Sequence, residues 1–294
     1  MSTSILYDAP GPRARRVNLV ASLVALAGLA WLAWWVYSKL DASDQWASEK
    51  WKPFLEPQVW ENFLLPGIEG TLRAFAVGAV LALAFGFLFG VGRMARSRIL
   101  RWTSGVVVEF FRSIPLLLLM FFLYYAQSGL LQMQASVYWA VVLGLMLYNG
   151  SVLAEIIRAG VHSLPSGQRE AGLAMGLSET QVLSSILLPQ AVRAMLPAII
   201  AQLVVLLKDT ALGYILAYSE LLNQIPKIGL NYRNLIPAAI VVALLYIVIN
   251  GSLSAFAVWL ERRLGRGKKA VTLAPESAAP GAALTSAAGA RGVD

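Results

Sequence analysis

The sequence predicts an all-α membrane protein with six transmembrane helices. Three observations carry this. Of 294 residues, 58% are hydrophobic and only 14% charged, where a soluble domain carries about a quarter charged. The apolar residues fall in runs long enough to cross a hydrocarbon core of about 30 Å as helices of roughly 20 residues. Arg and Lys cluster beside alternate ends of those runs, an asymmetry that assigns loops to the inner face.

The elements follow in order. Arg13, Arg15 and Arg16 close a basic cytoplasmic tail, 1–16, and precede the first run, 17–38. That run is too long for a cleaved signal core and shows no small-residue cleavage site. It reads as a retained helix with Trp31, Trp34, Trp35 and Tyr37 as anchors at its outer end. Residues 39–70 hold six acids against three lysines, which suits an extracytoplasmic segment, and Pro53, Pro57 and Pro66 argue against a spanning helix there. The second run, 71–92, places Ala74, Gly78, Ala82, Gly86 and Gly90 four apart along one face. In lipid, small residues let backbones approach closely, within the chain or across a dimer seam.

Arg93, Arg96, Arg98 and Arg101 mark an inner loop. The third run is 104–126, the fourth 137–157, the fifth 195–216 and the sixth 236–260. An outer loop with Glu220, Lys227 and Arg233 joins the last two. Six spans place both termini, and the polar loop 165–190, in the cytoplasm. The tail 261–294 ends in a stretch too poor in large apolar residues to pack, so it is expected to be disordered.

The net charge of +8 follows from this topology and is not a nucleic-acid signature. With no Cys, disulfides and thiolate metal sites are excluded, and the single His162 excludes a His-rich metal site within the chain.

The polar loop contains "EAGLAMGLSETQVLSSILLP", Glu170 to Pro189. Ser166 is placed to cap a helix that Gly176 stops in a left-handed conformation. Ser178 and Gln181 form a capping-box pattern for a second helix, and Pro189 is expected to bound it, because the residue before a proline disfavours helical angles. The result is helix, glycine elbow, helix. An ordinary amphipathic interfacial loop would have the same local features.

Two charge pairs lie near the cytoplasmic ends of the third and fourth runs: Glu109 with Arg112, and Glu155 with Arg158. A spacing of three puts each pair on one helical face. Each is an internal ion pair that makes burial tolerable, a pair snorkelling to the inner interface, or a gate or path lining. Lys208 and Asp209, followed by Thr210, interrupt the fifth run, where each charge costs at least about 2.5–3.5 kcal/mol and normally faces protein or water. Asn149 and Tyr148, in the middle of the fourth run, are further path candidates. No phosphate-cradling G-x-x-x-x-G-K-[S/T] loop is present, so the chain is not itself an ATPase; "GRGKKA" after Gly265 does not match.

The loop's spacing resembles the signature of ABC importer permeases: E-A-A, three residues, G, nine residues, I, one residue, L-P. Glu170, Ala171, Gly176, Ile186, Leu188 and Pro189 fall at it, and Gly172 stands in for the third small residue. The resemblance extends over roughly 60–260. "VEFFRSIPLLLL" is similar to the E-x-x-R-x-x-P-L-L stretch of the polar-amino-acid subfamily, and "LLKDTALGYILAYSELL" is most similar to glutamate-type permeases, with Asp209 and Ala211 where Asn and Ser are usual.

The resemblance implies a type I permease core of five helices within 71–260, to which the first helix, 17–38, is an extra N-terminal addition. It implies a coupling helix at 165–190 that docks in a groove of ATP-binding cassette ATPase subunits. It also implies an extracytoplasmic solute-binding protein, a second permease subunit in a homo- or heterodimer, and location in a prokaryotic cytoplasmic membrane. ATP and Mg would reside on the ATPase, with no cofactor in this chain. The expected function is ATP-driven import of polar amino acids, glutamate or other acidic ones first, glutamine, arginine or histidine as alternatives. Lys208 would meet the substrate carboxylates, while Asp209 pairs elsewhere, with the second subunit as a candidate. An ion-coupled carrier using Lys208 and Asp209 as a charge relay leaves the loop spacing unexplained. An intramembrane enzyme lacks a nucleophile–base or metal constellation.

Overall fold

The computed structural model describes residues 11–265, and every regular element among them is a helix. The residues expected to form the outermost N-terminal tail and most of the C-terminal tail lie outside the described residues. Five helices are long and apolar enough to cross a membrane, and a bent pair makes a sixth if counted as one span.

Helix α1, Pro12–Ala42, is longer at both ends than the 17–38 run and buries none of its residues. Its C-terminal end is tied down by aromatic stacking: Tyr37 lies 5.6 Å from Trp46, which lies 6.0 Å from Trp51.

The segment expected to avoid a spanning helix instead builds one. Short turns at Ser48–Trp51, Lys52–Leu55, Pro57–Val59 and Trp60–Leu64 lead into α2, Leu65–Gly92. From Pro57 to Gly92 the helix is continuous over 36 residues. Pro53 and Pro57 fall at the first positions of short helical segments, where the missing N–H had no partner to lose; Pro66 lies inside the continuous helix, just after the wide i→i+5 turn at Trp60–Leu64, which reroutes the bond it would interrupt. Phe54, Val59 and Leu64 are buried in a cluster with Leu221, Ile228, Ala238 and Val242.

The third run is not one straight span. It divides into α3, Arg98–Ser113, and α4, Leu116–Gly129, bent by 103°. Ile114, before Pro115, is extended at φ −89° and ψ 129°, as the proline ring demands of its predecessor.

Helix α5, Val137–His162, is the most buried element, and α2 lies along it. All five small residues of the four-residue stripe on α2 are buried. A Cβ on Gly86 would meet Leu153 Cβ at 2.6 Å, and one on Gly90 would meet the Ala154 carbonyl at 3.0 Å. The stripe therefore serves packing within the chain. In lipid this contact, rather than hydrophobic expulsion, holds helices together.

Helix α6, Ser166–Ala174, belongs to the polar loop. After it, Glu179–Leu216 forms one apolar helical stretch of 38 residues that includes α7, Leu188–Asp209. Pro189 does not bound a helix as expected. It stands in the first turn of α7, after a wide turn at Val182–Leu187 with i→i+5 bonding. Such a turn reroutes the backbone bonds that proline would interrupt. Residues 210–216 tighten to a 3-10 helix.

The segment after it is no simple loop. It contains α8, Gln224–Tyr232, before α9, Leu235–Gly265. Glu220 is fully buried there. Its carboxylate accepts from the backbone N–H groups of Leu222 and Asn223, both at 2.7 Å, and from the Tyr246 hydroxyl at 2.5 Å.

Candidate functional site

At the end of the bundle where α5 gives way to α7, the polar loop folds as helix, elbow, helix. Ser166 is the first residue of α6 and does not cap it through its side chain; Pro165 takes the cap position. Gly176 has φ +83°, a conformation that only glycine adopts at little cost. The capping box forms: Gln181 N–H donates to Ser178 Oγ at 3.4 Å, and Ser178 N–H donates to Gln181 Oε1 at 2.8 Å. An Arg169–Glu179 ion pair joins the two arms of the loop, and Gln190 donates to Gln168 at 2.6 Å.

The loop has an inner and an outer face. Gly172 is buried, and a Cβ there would meet Val182 Cγ2 at 2.9 Å and Ile186 Cδ1 at 3.0 Å. Val182 and Leu187 are buried, while Ile186 and Leu188 are half-buried. Glu170, Ala171, Gly176 and Pro189 are exposed, and so is Met175, at 82%. The structure thus presents a short helix with small and acidic residues outward, clamped by apolar contacts beneath. A cavity of about 1260 Å³ separates this loop from the α2–α3 turn, with Arg93, Arg96, His162 and Arg169 in its walls.

Both sequence-spaced charge pairs form. Glu109 accepts from Arg112 at 2.8 Å, and Glu155 accepts from Arg158 at 2.5 Å. Arg93 joins them, reaching Glu155 at 2.8 Å and Glu109 at 3.2 Å. The result is a chain of alternating charge across three helices: Arg112, Glu109, Arg93, Glu155, Arg158. Sequence reasoning assigned Arg93 to topology alone. Its place directly after the glycine stripe, facing α5, was the missed signal.

Deeper in the bundle, Asn149 is fully buried. Its Nδ2 donates to Asp209 Oδ2 at 3.2 Å, and its Oδ1 accepts from Gln202 Nε2 at 2.7 Å. Asp209 therefore has a partner within the chain, where pairing with a second subunit was the candidate. The reason is geometric: α5 and α7 pack together, and residues 202 and 209, seven apart, share the face of α7 that meets α5. That spacing was the available clue to Gln202. Thr210 is buried and donates to the Leu207 carbonyl at 2.7 Å. Lys208 points elsewhere: it is exposed, and no ion pair among the described residues includes it. Tyr148 is half-buried beside Asn149. No group of three or more potential metal ligands occurs among the described residues.

Comparison with known proteins gives a consistent result. Residues 82–266 match the family described as binding-protein-dependent transport system inner membrane component. The chain is 47% identical over 232 residues to the glutamate transport system permease protein GluD of Corynebacterium glutamicum, covering 78% of this chain and 85% of that one. It is 35% identical to the probable glutamine ABC transporter permease protein GlnP of Bacillus subtilis, covering 70% of this chain and 93% of the relative. Among solved structures, an amino acid ABC transporter crystallised with histidines matches with TM-score 0.64 and 24% identity over 69% of this chain and 95% of that one. The inward-facing methionine transporter MetNI matches with TM-score 0.61 and 21% identity over 71% of this chain and 98% of that one. At these identities the structural likeness speaks to the fold.

Proposed function

The chain belongs to the family of binding-protein-dependent transport system inner membrane components, and from that premise we propose that it is the permease subunit of an ATP-driven importer of acidic amino acids. It is a multi-pass membrane protein and not an enzyme. In this reading both termini and the loop 165–190 face the cytoplasm, and the loop docks on an ATP-binding cassette ATPase. The observation that carries the reading is the built form of that loop: an exposed Glu170–Ala171 face on α6, a glycine elbow and a capping box, all braced from beneath.

The mechanism is alternating access. A solute-binding protein delivers the amino acid to the outer face. ATP-driven closure of two ATPase subunits draws the coupling loops of two permease chains together and opens the path outward; hydrolysis reverses it. ATP and Mg act on the ATPase, outside this chain. The charge chain from Arg112 to Arg158 is suited to closing the inner end of the path, because alternating ion pairs break and re-form as helices move. Asn149, Gln202 and Asp209, with Thr210 beside them, supply a polar lining at depth. Lys208, exposed and unpaired among the described residues, is the cation that would meet the substrate carboxylate. The similarity to a glutamate permease supports the acidic substrate class.

The test is uptake of labelled glutamate by cells with and without this gene, with unlabelled aspartate, glutamine, arginine or histidine in excess. Loss of ATP-dependent uptake, competed mainly by acidic amino acids, is the expected result. Uptake sensitive to ion-gradient collapse but not to ATP depletion would overturn it.

A further inference from the structure

At the end of the bundle opposite the polar loop, a second cleft of about 370 Å³ opens between α2, the start of α5 and the turn after residue 216. It is lined by Pro66, Glu69, Arg73, Tyr138, Tyr218 and Ser219, with Gly70 at its base. Glu69 and Arg73 stand four apart on α2, in the order that favours an i,i+4 ion pair. They do not make one: no ion pair among the described residues includes either. Arg73 instead lays its guanidinium over the ring of Tyr138, 5.0 Å from the centroid. This leaves a cation and an anion on the walls of one cleft, each able to take a partner.

The rest of the cleft is held rigidly. The Tyr218 hydroxyl donates to the Gly70 carbonyl at 2.8 Å, and its ring lies 6.1 Å from that of Tyr138. A Cβ on Gly70 would sit 2.0 Å from the Ser219 carbonyl, so the turn presses directly on the α2 backbone. That turn passes through Ala217 at φ +59°, a left-handed conformation that a non-glycine residue holds only where its surroundings impose it.

We propose that this cleft is an outer recognition site for the zwitterionic head of an α-amino acid, with the α-carboxylate on Arg73 and the α-ammonium on Glu69. Guanidinium matches carboxylate in shape and charge. A carboxylate one helical turn away matches an ammonium, and the tyrosine ring beneath Arg73 fixes the fork without neutralising it. The volume is at the small end of ligand pockets, which suits one amino acid. Because the head is common to all α-amino acids, the site recognises the class and leaves side-chain choice to other groups. The inference rests on the amino-acid importer reading above.

The experiment uses the transporter assembled with its ATPase and second permease subunit in nanodiscs, with no binding protein added. Binding of labelled glutamate is followed by saturation-transfer NMR, and uptake by the same assembly with its binding protein is measured in proteoliposomes. Arg73→Gln and Glu69→Gln should each weaken glutamate binding by roughly tenfold or more, and Arg73→Lys should recover part of the loss. 4-Aminobutyrate, which lacks the α-carboxylate, should not compete. Absence of amino-acid uptake by the wild-type assembly overturns the importer reading and this site with it. Normal uptake, with glutamate binding unchanged in both variants, overturns this site alone. So does a result in which the variants weaken only the docking of the binding protein.

Discussion

Arg93 and Glu155, 62 residues apart in sequence, meet at 2.8 Å and join two helical charge pairs into one chain. The Arg93 side chain is 14% exposed and that of Glu155 23%, so the bond is partly shielded from solvent. Arg93→Ala is expected to lower stability by about 2 kcal/mol, the usual scale for hydrogen bonds to charged groups. Thermal unfolding of the detergent-purified protein checks this. A double-mutant cycle with Glu155→Gln should show coupling; strictly additive losses would mean the bridge carries no energy.

The α2–α5 seam makes a sharper steric claim. A Cβ on Gly150 would sit 2.8 Å from Phe85 Cδ1 and 3.1 Å from the Ala82 carbonyl, while one on Gly105 meets nothing within 4 Å. Gly86→Val and Gly150→Val should each cost on the order of 1–3 kcal/mol or more through overpacking. Gly105→Ala should be neutral or slightly stabilising, since alanine favours helix. Monodisperse yield and melting temperature of the three variants decide it.

Gly176 meets nothing within 4 Å, so only its φ of +83° constrains it. Gly176→Val is expected to strain the elbow by roughly 1–2 kcal/mol while leaving the spanning helices intact. Together with Glu170→Arg, which reverses a charge on the exposed face, it should reduce co-purification of the ATPase. Undiminished co-purification with both variants would refute the docking role of the loop.

Lys208 and Asp209 are neighbours with different surroundings, and their variants should differ. Lys208→Ala should insert normally and reduce uptake of acidic amino acids. Asp209→Ala removes the acceptor of the Asn149 bond and should disturb the α5–α7 contact, lowering melting temperature as well as uptake. Uptake kinetics and melting curves on the same preparations separate the two effects.

Glu220 gives a pH dependence with a definite sign. Burial raises its carboxyl above the usual range, against the opposing bond from Tyr246 and the backbone N–H groups of Leu222 and Asn223. The folded state therefore holds the proton more tightly than the unfolded chain. Its stability contribution is fullest below the ordinary carboxylate pKa and falls as pH rises toward the raised value. Tyr246→Phe removes a bond to the ionised form, so its melting temperature should fall further behind that of the wild type as pH rises above the ordinary carboxylate range. A constant gap as pH rises would show that Tyr246 does not stabilise the charged carboxylate.

Much of this architecture was legible because lipid imposes length and polarity on each span. The glycine stripe, the two i,i+3 pairs, the elbow at Gly176 and the capping box are local, and the sequence carries local rules directly. Pro53, Pro57, Pro66 and Pro189 misled, because a proline's effect depends on its position within a helical segment. The same residue breaks α3 from α4 at 115, where its predecessor turns extended. Arg93, Gln202 and the buried state of Glu220 depend on which helices become neighbours, and that is set by packing between residues 62, 53 and 26 apart in sequence. The separation of Glu69 from Arg73 was hidden for the same reason: the ring that captures the arginine belongs to another helix.

The unbroken run of helix from Glu179 to Leu216, 38 residues long, has a mechanical meaning. At 1.5 Å per residue, the 32 residues outside the six-residue wide turn alone extend roughly 48 Å. One end adjoins the polar loop; near the other ride Gln202, Lys208 and Asp209. A push on the loop reaches those side chains as motion of a single stiff member, in the manner of a connecting rod. The wide turn at Val182–Leu187, where the bonding register is relaxed, is the natural place for that rod to flex.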